Sequence, residues 1–209
     1  AIEAKKQGIH SLILPRENAL EAALIEGLQI FGMDNLRDTI RFLHGRPQAA
    51  IKRDHILPTS PPYASDFSQI KGQKKAKRAI EIAVAGSHNL LLVGPPGAGK
   101  TMMAQRIPSI MPPMSLEEII ETTQIHSIVG KLSTDHPLVT ERPFRALHHS
   151  ITSTALIGGR TNPQPGEISL AHQGVLFLDE LPEFQRNVLE LLRQPLEERK
   201  VPISRAHGT

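Results

Sequence analysis

Apolar positions in residues 1–46 switch between helical spacing and short continuous runs, which predicts alternating helices and strands. Residues 1–8 read as a helix end, with lysines in the last turn and Gly8 as the stop. The run 11–14 is a strand candidate ended by Pro15, and 17–26 is an Ala-, Leu- and Glu-rich helix closed by Gly27. A second strand is expected over 28–32. Asp34 or Asn35 then caps a helix whose Leu36, Ile40 and Leu43 are spaced for one buried face. A strand–helix–strand–helix order of this length predicts a parallel pair within a larger α/β domain.

The pattern breaks over 47–68, where Pro47, Pro58, Pro61 and Pro62 block both helix and central strand. This Pro-rich stretch is the expected linker, separating a domain at 1–46 from one at 69–209. Helical spacing returns over 73–85, with Ala76, Ala79, Ile80, Ala83 and Val84 on one face. Lys71, Lys74, Lys75, Lys77 and Arg78 read first as its polar face, with a DNA contact as the alternative. The apolar run 90–93 predicts a strand, and 101–107 a helix. Ser115 and Glu118 then form a capping-box start for a helix reaching about His126. Residues 127–165 are mixed and turn-rich, a length that is usually functional or hairpin-forming. Over 174–180 an apolar run that suits a central strand, covered on both faces, ends in Asp179 and Glu180.

Composition narrows the classes. The chain has 209 residues, 39% apolar and 22% charged, enough for one large or two small soluble domains. Without cysteine there are no disulfides and no thiolate metal sites. No apolar run approaches the ~20 residues that span a bilayer, and no signal segment is visible, so a cytoplasmic protein without a membrane partner is expected. A net charge of +3 is compatible with nucleic acid but too small to argue for it, and 3% aromatics offer no base-stacking platform. The chain opens on Ala1 rather than methionine and reads as an internal piece of a longer protein.

The strongest chemical signal is Gly94-Pro95-Pro96-Gly97-Ala98-Gly99-Lys100-Thr101, which has the spacing of a phosphate-binding loop between a strand and a helix. Its glycines let backbone N–H groups approach phosphate oxygens, while the prolines stiffen the entry. Lys100 supplies charge toward the β and γ phosphates, the Thr101 hydroxyl is placed to ligate Mg²⁺, and Met102 follows within the same binding set. The expected cofactors are ATP and Mg²⁺. Asp179 and Glu180, at the carboxyl end of a strand, complete the pattern: Asp179 for the Mg²⁺ shell and Glu180 to polarise the attacking water. The histidines give no metal signal, since no H-E-x-x-H spacing occurs. His148 and His149 are adjacent, and on a regular element they diverge.

Two resemblances add to this reading. Residues 3–18 resemble the C-terminal part of a Lon-type protease domain, an α/β fold of the ribosomal S5 type. The serine and lysine of such proteases would precede Ala1, so no peptidase residue carries over. Residues 73–101, 142–149 and 165–184 closely resemble the magnesium-chelatase-like AAA+ ATPases of the YifB/ComM group, in which a Lon-like domain precedes the ATPase domain. The resemblance implies a P-loop NTPase with a parallel sheet flanked by helices, preceded by the Lon-like segment. It implies a ring-forming homo-oligomer, a hexamer, working as an ATP-driven motor; ComM-type members are DNA helicases that promote branch migration. Ile70, Gly72 and Gln73 would lie near the adenine. Segment 142–166 would form inserted hairpins, with Arg142, Arg145 and Arg160 as DNA contacts or as structural and interface arginines. Leu147, Arg160 and Gln173 stand where the group usually has Pro, Gly and Asn. The sensor, arginine finger and helical lid that follow the acidic (Walker B) strand lie beyond Thr209, so slow ATP hydrolysis by the isolated 209 residues is expected. The alternatives are a chelatase-like metal-insertion or protein-remodelling ATPase, and a non-motor ATP-binding regulatory module.

Overall fold

The computed structural model describes residues 1–51, 63–132, 137–159, 163–198 and 200–201. Its internal packing divides the chain into two units: Ala1–Pro61 with Leu132–Val139, and Pro62–Lys131 with Thr140–Thr209.

The first unit follows the predicted order: α1 (Ile2–Lys6), β1 (Ser11–Pro15), α2 (Arg16–Ala22), β2 (Gln29–Met33) and α3 (Leu36–Leu43). β1 and β2 are parallel, with Leu12 opposite Ile30 and Leu14 opposite Gly32. A parallel pair needs a crossover, and α2 supplies it, burying Ala19 and Ala22 against the sheet. Gly32 makes that approach possible: a Cβ there would sit 3.0 Å from the Ala19 Cβ and 3.2 Å from Ile51 Cδ1. Asn35, rather than Asp34, caps α3, its side chain accepting from the Asp38 N–H at 2.9 Å. The face of Leu36, Ile40 and Leu43 is not buried as expected; these side chains are 47–74% exposed. Phe42 instead packs against Phe31 of β2, the rings tilted by 38° with centroids 4.7 Å apart, so α3 docks by a different edge, and its apolar stripe of Leu36, Ile40 and Leu43 stays exposed.

The second unit opens with a 3₁₀ turn, Phe67–Gln69, then α4 (Lys74–Ala85), α5 (Lys100–Gln105), a 3₁₀ turn Ile107–Ile110 and α6 (Leu116–Ile128). Phe67, Ile70, Ile80 of α4 and Met103 of α5 form one buried cluster, which fixes the helix behind the glycine-rich loop. Ser115 caps α6 as predicted, its Oγ accepting from Glu118 N–H while the Glu118 carboxylate accepts from Ser115 N–H. Beyond α6 come β3 (Phe144–Leu147), α7 (Ser153–Ile157), β4 (Gly158–Gly159), β5 (Gln164–Pro165), α8 (Glu167–Leu170), β6 (Val175–Leu178), a 3₁₀ turn Leu181–Glu183, α9 (Arg186–Glu190) and α10 (Arg193–Glu198). β3 and β6 are parallel, pairing Phe144 with Val175 through to Leu147 with Leu178. Leu147, Leu156, Phe184 and Val188 form the core on one face of this pair.

Two strand expectations change. Residues 90–93 form no ladder among the described residues, and Val93 is 88% exposed. β6 forms as predicted but is half-buried rather than covered on both faces. The causes are the same: a parallel strand is completed by neighbours on both edges, and β6 has one, β3, while the 90–93 run has none among the described residues. Of the linker prediction, 52–62 lies outside the described residues.

Candidate functional site

The glycine-rich loop takes its shape from left-handed backbone at Gly97 (φ +76°) and Gly99 (φ +83°). At Gly97 a Cβ would meet no heavy atom within 4 Å, so the loop borders open space. Gly99 is the N-terminal boundary of α5, whose first N–H groups have no intrahelical acceptor. Lys100 Nζ donates to the carbonyls of Gly94 (2.8 Å) and Pro95 (3.0 Å), so the loop ties its own cation across its mouth. Pro96, Ala98 and Met102 complete the loop and first helical turn, with Met102 partly exposed.

The acids come from a separate element, β6. β6 carries Asp179 and Glu180 just past its carboxyl end, and Asp179 N–H donates to Leu147 O at 3.1 Å. The Thr101 hydroxyl donates to Asp179 Oδ2 at 3.2 Å, joining residues 78 apart in sequence, and Asp179 Oδ1 accepts from Glu180 N–H. Two oxygen groups that suit a hard divalent cation thus face each other beside an open loop with a lysine, a set that fits Mg²⁺ and triphosphate. Glu180 stands apart from the loop contacts. Its backbone is left-handed (φ +55°), and its carboxylate pairs with His149 Nδ1 at 3.1 Å.

The remaining predicted site residues are Ile70, Gly72 and Gln73, ahead of α4. Ile70 is buried in the core beside Met103, and its carbonyl accepts from Lys77 Nζ at 2.9 Å, with the same ammonium over the Phe67 ring. Gly72 and Gln73 have positive φ, with open space at Gly72. Lys77 of the basic helix is therefore a structural donor.

Arg142 is 9% exposed and fully engaged: Nε donates to Pro112 O (2.6 Å), Nη1 to Gln173 O (2.7 Å) and Nη2 to Glu118 (3.2 Å). That leaves it no donor for DNA, and the structural reading holds. Arg145 forms a two-pronged pair with Glu167. The guanidinium holds the Glu167 carboxyl below its usual range, against the opposing cost of burial. Arg160 lies outside the described residues. β4 and β5 pair antiparallel, Gly159 opposite Gln164, within the segment expected to form hairpins.

The adjacent histidines do not diverge. Their rings lie 3.9 Å apart, and with Glu180 they place one ligand atom each within 4.8 Å of one another. Alternation of side chains holds inside a strand, and β3 ends at Leu147, one residue earlier. This cluster is what sequence reasoning missed. The sequence offered half of the signal: Asp-Glu directly follows a predicted strand, but His-His falls within 127–165, read as mixed and turn-rich, so β3 before it was not foreseen.

The description "Magnesium chelatase, subunit ChlI" matches residues 66–209, which includes the loop, both acids and the capped helix between them. The chain belongs to the magnesium-chelatase-like AAA+ family. It is 45% identical over its whole length to the competence protein ComM of Haemophilus influenzae and 46% identical to a YifB protein of Escherichia coli, covering 42% and 40% of those proteins. It is also 29% identical to Lon protease 2 of Bacillus subtilis over 68% of this chain and 27% of that protein. The chain thus spans about two fifths of the length of its ComM and YifB relatives. This membership agrees with the α/β architecture and parallel strand pairs. Among the described residues, no helix is long and apolar enough to cross a membrane.

Proposed function

We propose that this chain is the ATP-binding, Mg²⁺-dependent ATPase module of a ring-forming motor that remodels branched DNA. The observation that carries the nucleotide reading is the Thr101–Asp179 contact at 3.2 Å beside the open glycine-rich loop. The motor and DNA reading is supported by 45% identity to a competence protein. In this reading 69–209 is the ATPase domain, 1–46 the end of a Lon-like domain, and the full-length protein a homo-hexamer.

Each side chain then has a task. Backbone N–H groups from Gly97 to Thr101, with Lys100, bind the triphosphate, and Lys100 exchanges its two carbonyl partners for phosphate oxygens, a charge-assisted bond roughly twice as strong as a neutral one. Thr101 and Asp179 hold Mg²⁺, which when bound neutralises charge developing on the phosphates. Glu180 leaves His149, orients the attacking water and accepts its proton. Ile70, Gly72 and Gln73 would hold the base.

The family's description favours one second reading, a motor that inserts a metal ion into a porphyrin. Two assays on the full-length protein with ATP separate them. Branch migration of a synthetic four-way junction, with no metal insertion into porphyrin, is the expected result. Porphyrin metallation without junction movement would replace the DNA reading with the chelatase one.

A further inference from the structure

Parallel pairing sets Leu147 of β3 level with Leu178 of β6, so the residues that follow both strands emerge at one edge of the sheet. His148 and His149 leave one strand there, and Asp179 and Glu180 the other. Asp179 turns to Thr101, while Glu180, in left-handed backbone, turns its carboxylate to His149. His148 is braced by Ser150, whose Oγ lies 2.9 Å from Nδ1. The Ser150 backbone N–H also lies 3.4 Å from Nδ1, so a metal at Nε2 would select the tautomer in which Nδ1–H donates to the Oγ and would give up that N–H contact. Two imidazole nitrogens and one carboxylate oxygen therefore converge to within 4.8 Å of one another, with the Glu180 side chain 59% exposed.

We propose that His148, His149 and Glu180 form a second cation site, distinct from the Mg²⁺ position at Thr101 and Asp179, that takes a zinc-class transition metal. The donor set decides the class. Mg²⁺ demands oxygen ligands in near-octahedral order, whereas two imidazoles with a carboxylate suit zinc(II), cobalt(II) and nickel(II). A tetrahedral ion with bonds of about 2.0–2.1 Å needs its ligand atoms about 3.4 Å apart, within reach of small rotations of exposed side chains. A solvent molecule fills the fourth position. The Ser150 contact supplies the outer support that orients a ligating imidazole. A consequence, resting on the role proposed above for Glu180, is that metal bound here withdraws that carboxylate from the nucleotide and slows turnover.

The test uses untagged full-length protein, stripped of transition metals and kept in millimolar Mg²⁺ without nucleotide. Cobalt(II) is titrated in and followed by its visible absorption. The expected result is one cobalt per chain, displaced by one zinc, with affinity at least tenfold weaker in His148→Ala and in His149→Ala. Both variants are checked by circular dichroism, and their imidazoles lie outside the buried core, so folding is retained. Equal cobalt binding by wild type and the double variant, or no wild-type binding at micromolar cobalt, overturns the site. A second arm measures ATP turnover at fixed Mg²⁺ with stoichiometric zinc: about a tenfold loss is expected in wild type and none in His148→Ala. Zinc binding without loss of turnover overturns the withdrawal of Glu180. Absent cobalt binding alongside Glu180-dependent turnover would remove the metal site and leave the ATPase standing.

Discussion

Thr101 and Asp179 share a hydrogen bond although neither is near the other in sequence, and the contact was legible because each closes a motif whose chemistry needs the other. The partner of Glu180 was not legible. Nothing in the spacing of His149 gives the geometry of a turn past a strand end, and the left-handed backbone at Glu180 decides where its carboxylate points. Gln173 shows a similar cost: it adopts φ +58°, a left-handed region that asparagine tolerates better than glutamine. The Arg145–Glu167 pair makes a pH prediction. Glu167 titrates below its ordinary 4.5 because Arg145 holds the charged form. A depressed carboxyl contributes stability that is complete above 4.5 and is lost as pH falls through its folded value. Arg145→Met should therefore cost roughly 1 kcal/mol at pH 7, the pair being only partly shielded from water, and flatten the loss of stability below pH 4.5. Urea denaturation across pH 3–7 checks this; an unchanged acid limb in the variant would remove the linkage.

The β1–β2 parallel pair was predictable from two apolar runs with a helix between them, and β6 as a lone apolar run; its partner β3 lies in a stretch that read as mixed and turn-rich. The completeness of the sheets was not predictable. An apolar run states that a segment seeks burial, not which segment covers it, so 90–93 and the stripe of α3 read as buried and are exposed. Register, too, depends on contacts that sequence patterns do not carry. Gly174 illustrates this: a Cβ there would lie 2.0 Å from Pro143 O, the acceptor of the Val175 N–H bond that starts the β3–β6 ladder. Gly174→Ala must push β6 away from β3, and with it the two acids. We expect a loss of about 3 kcal/mol or more in stability together with weakened nucleotide binding. Thermal unfolding and nucleotide titration on the same variant measure both. A variant as stable as wild type would mean that the close approach is dispensable.

At the scale of the whole molecule, the second unit carries the loop, the acids and the helices that seat them, and the family membership rests on residues 66–209. The chain spans about two fifths of the length of its ComM and YifB relatives, so the proposed DNA motor is a property to be tested on the full-length protein. The central claim is that Glu180 drives hydrolysis coupled to DNA. It is tested most directly by ATP turnover of the full-length protein, with and without a four-way DNA junction, beside Glu180→Gln. The account predicts turnover that rises with the junction and falls at least a hundredfold in the variant, the scale of lost general-base catalysis. Turnover that ignores the junction, or that survives Glu180→Gln, would contradict it.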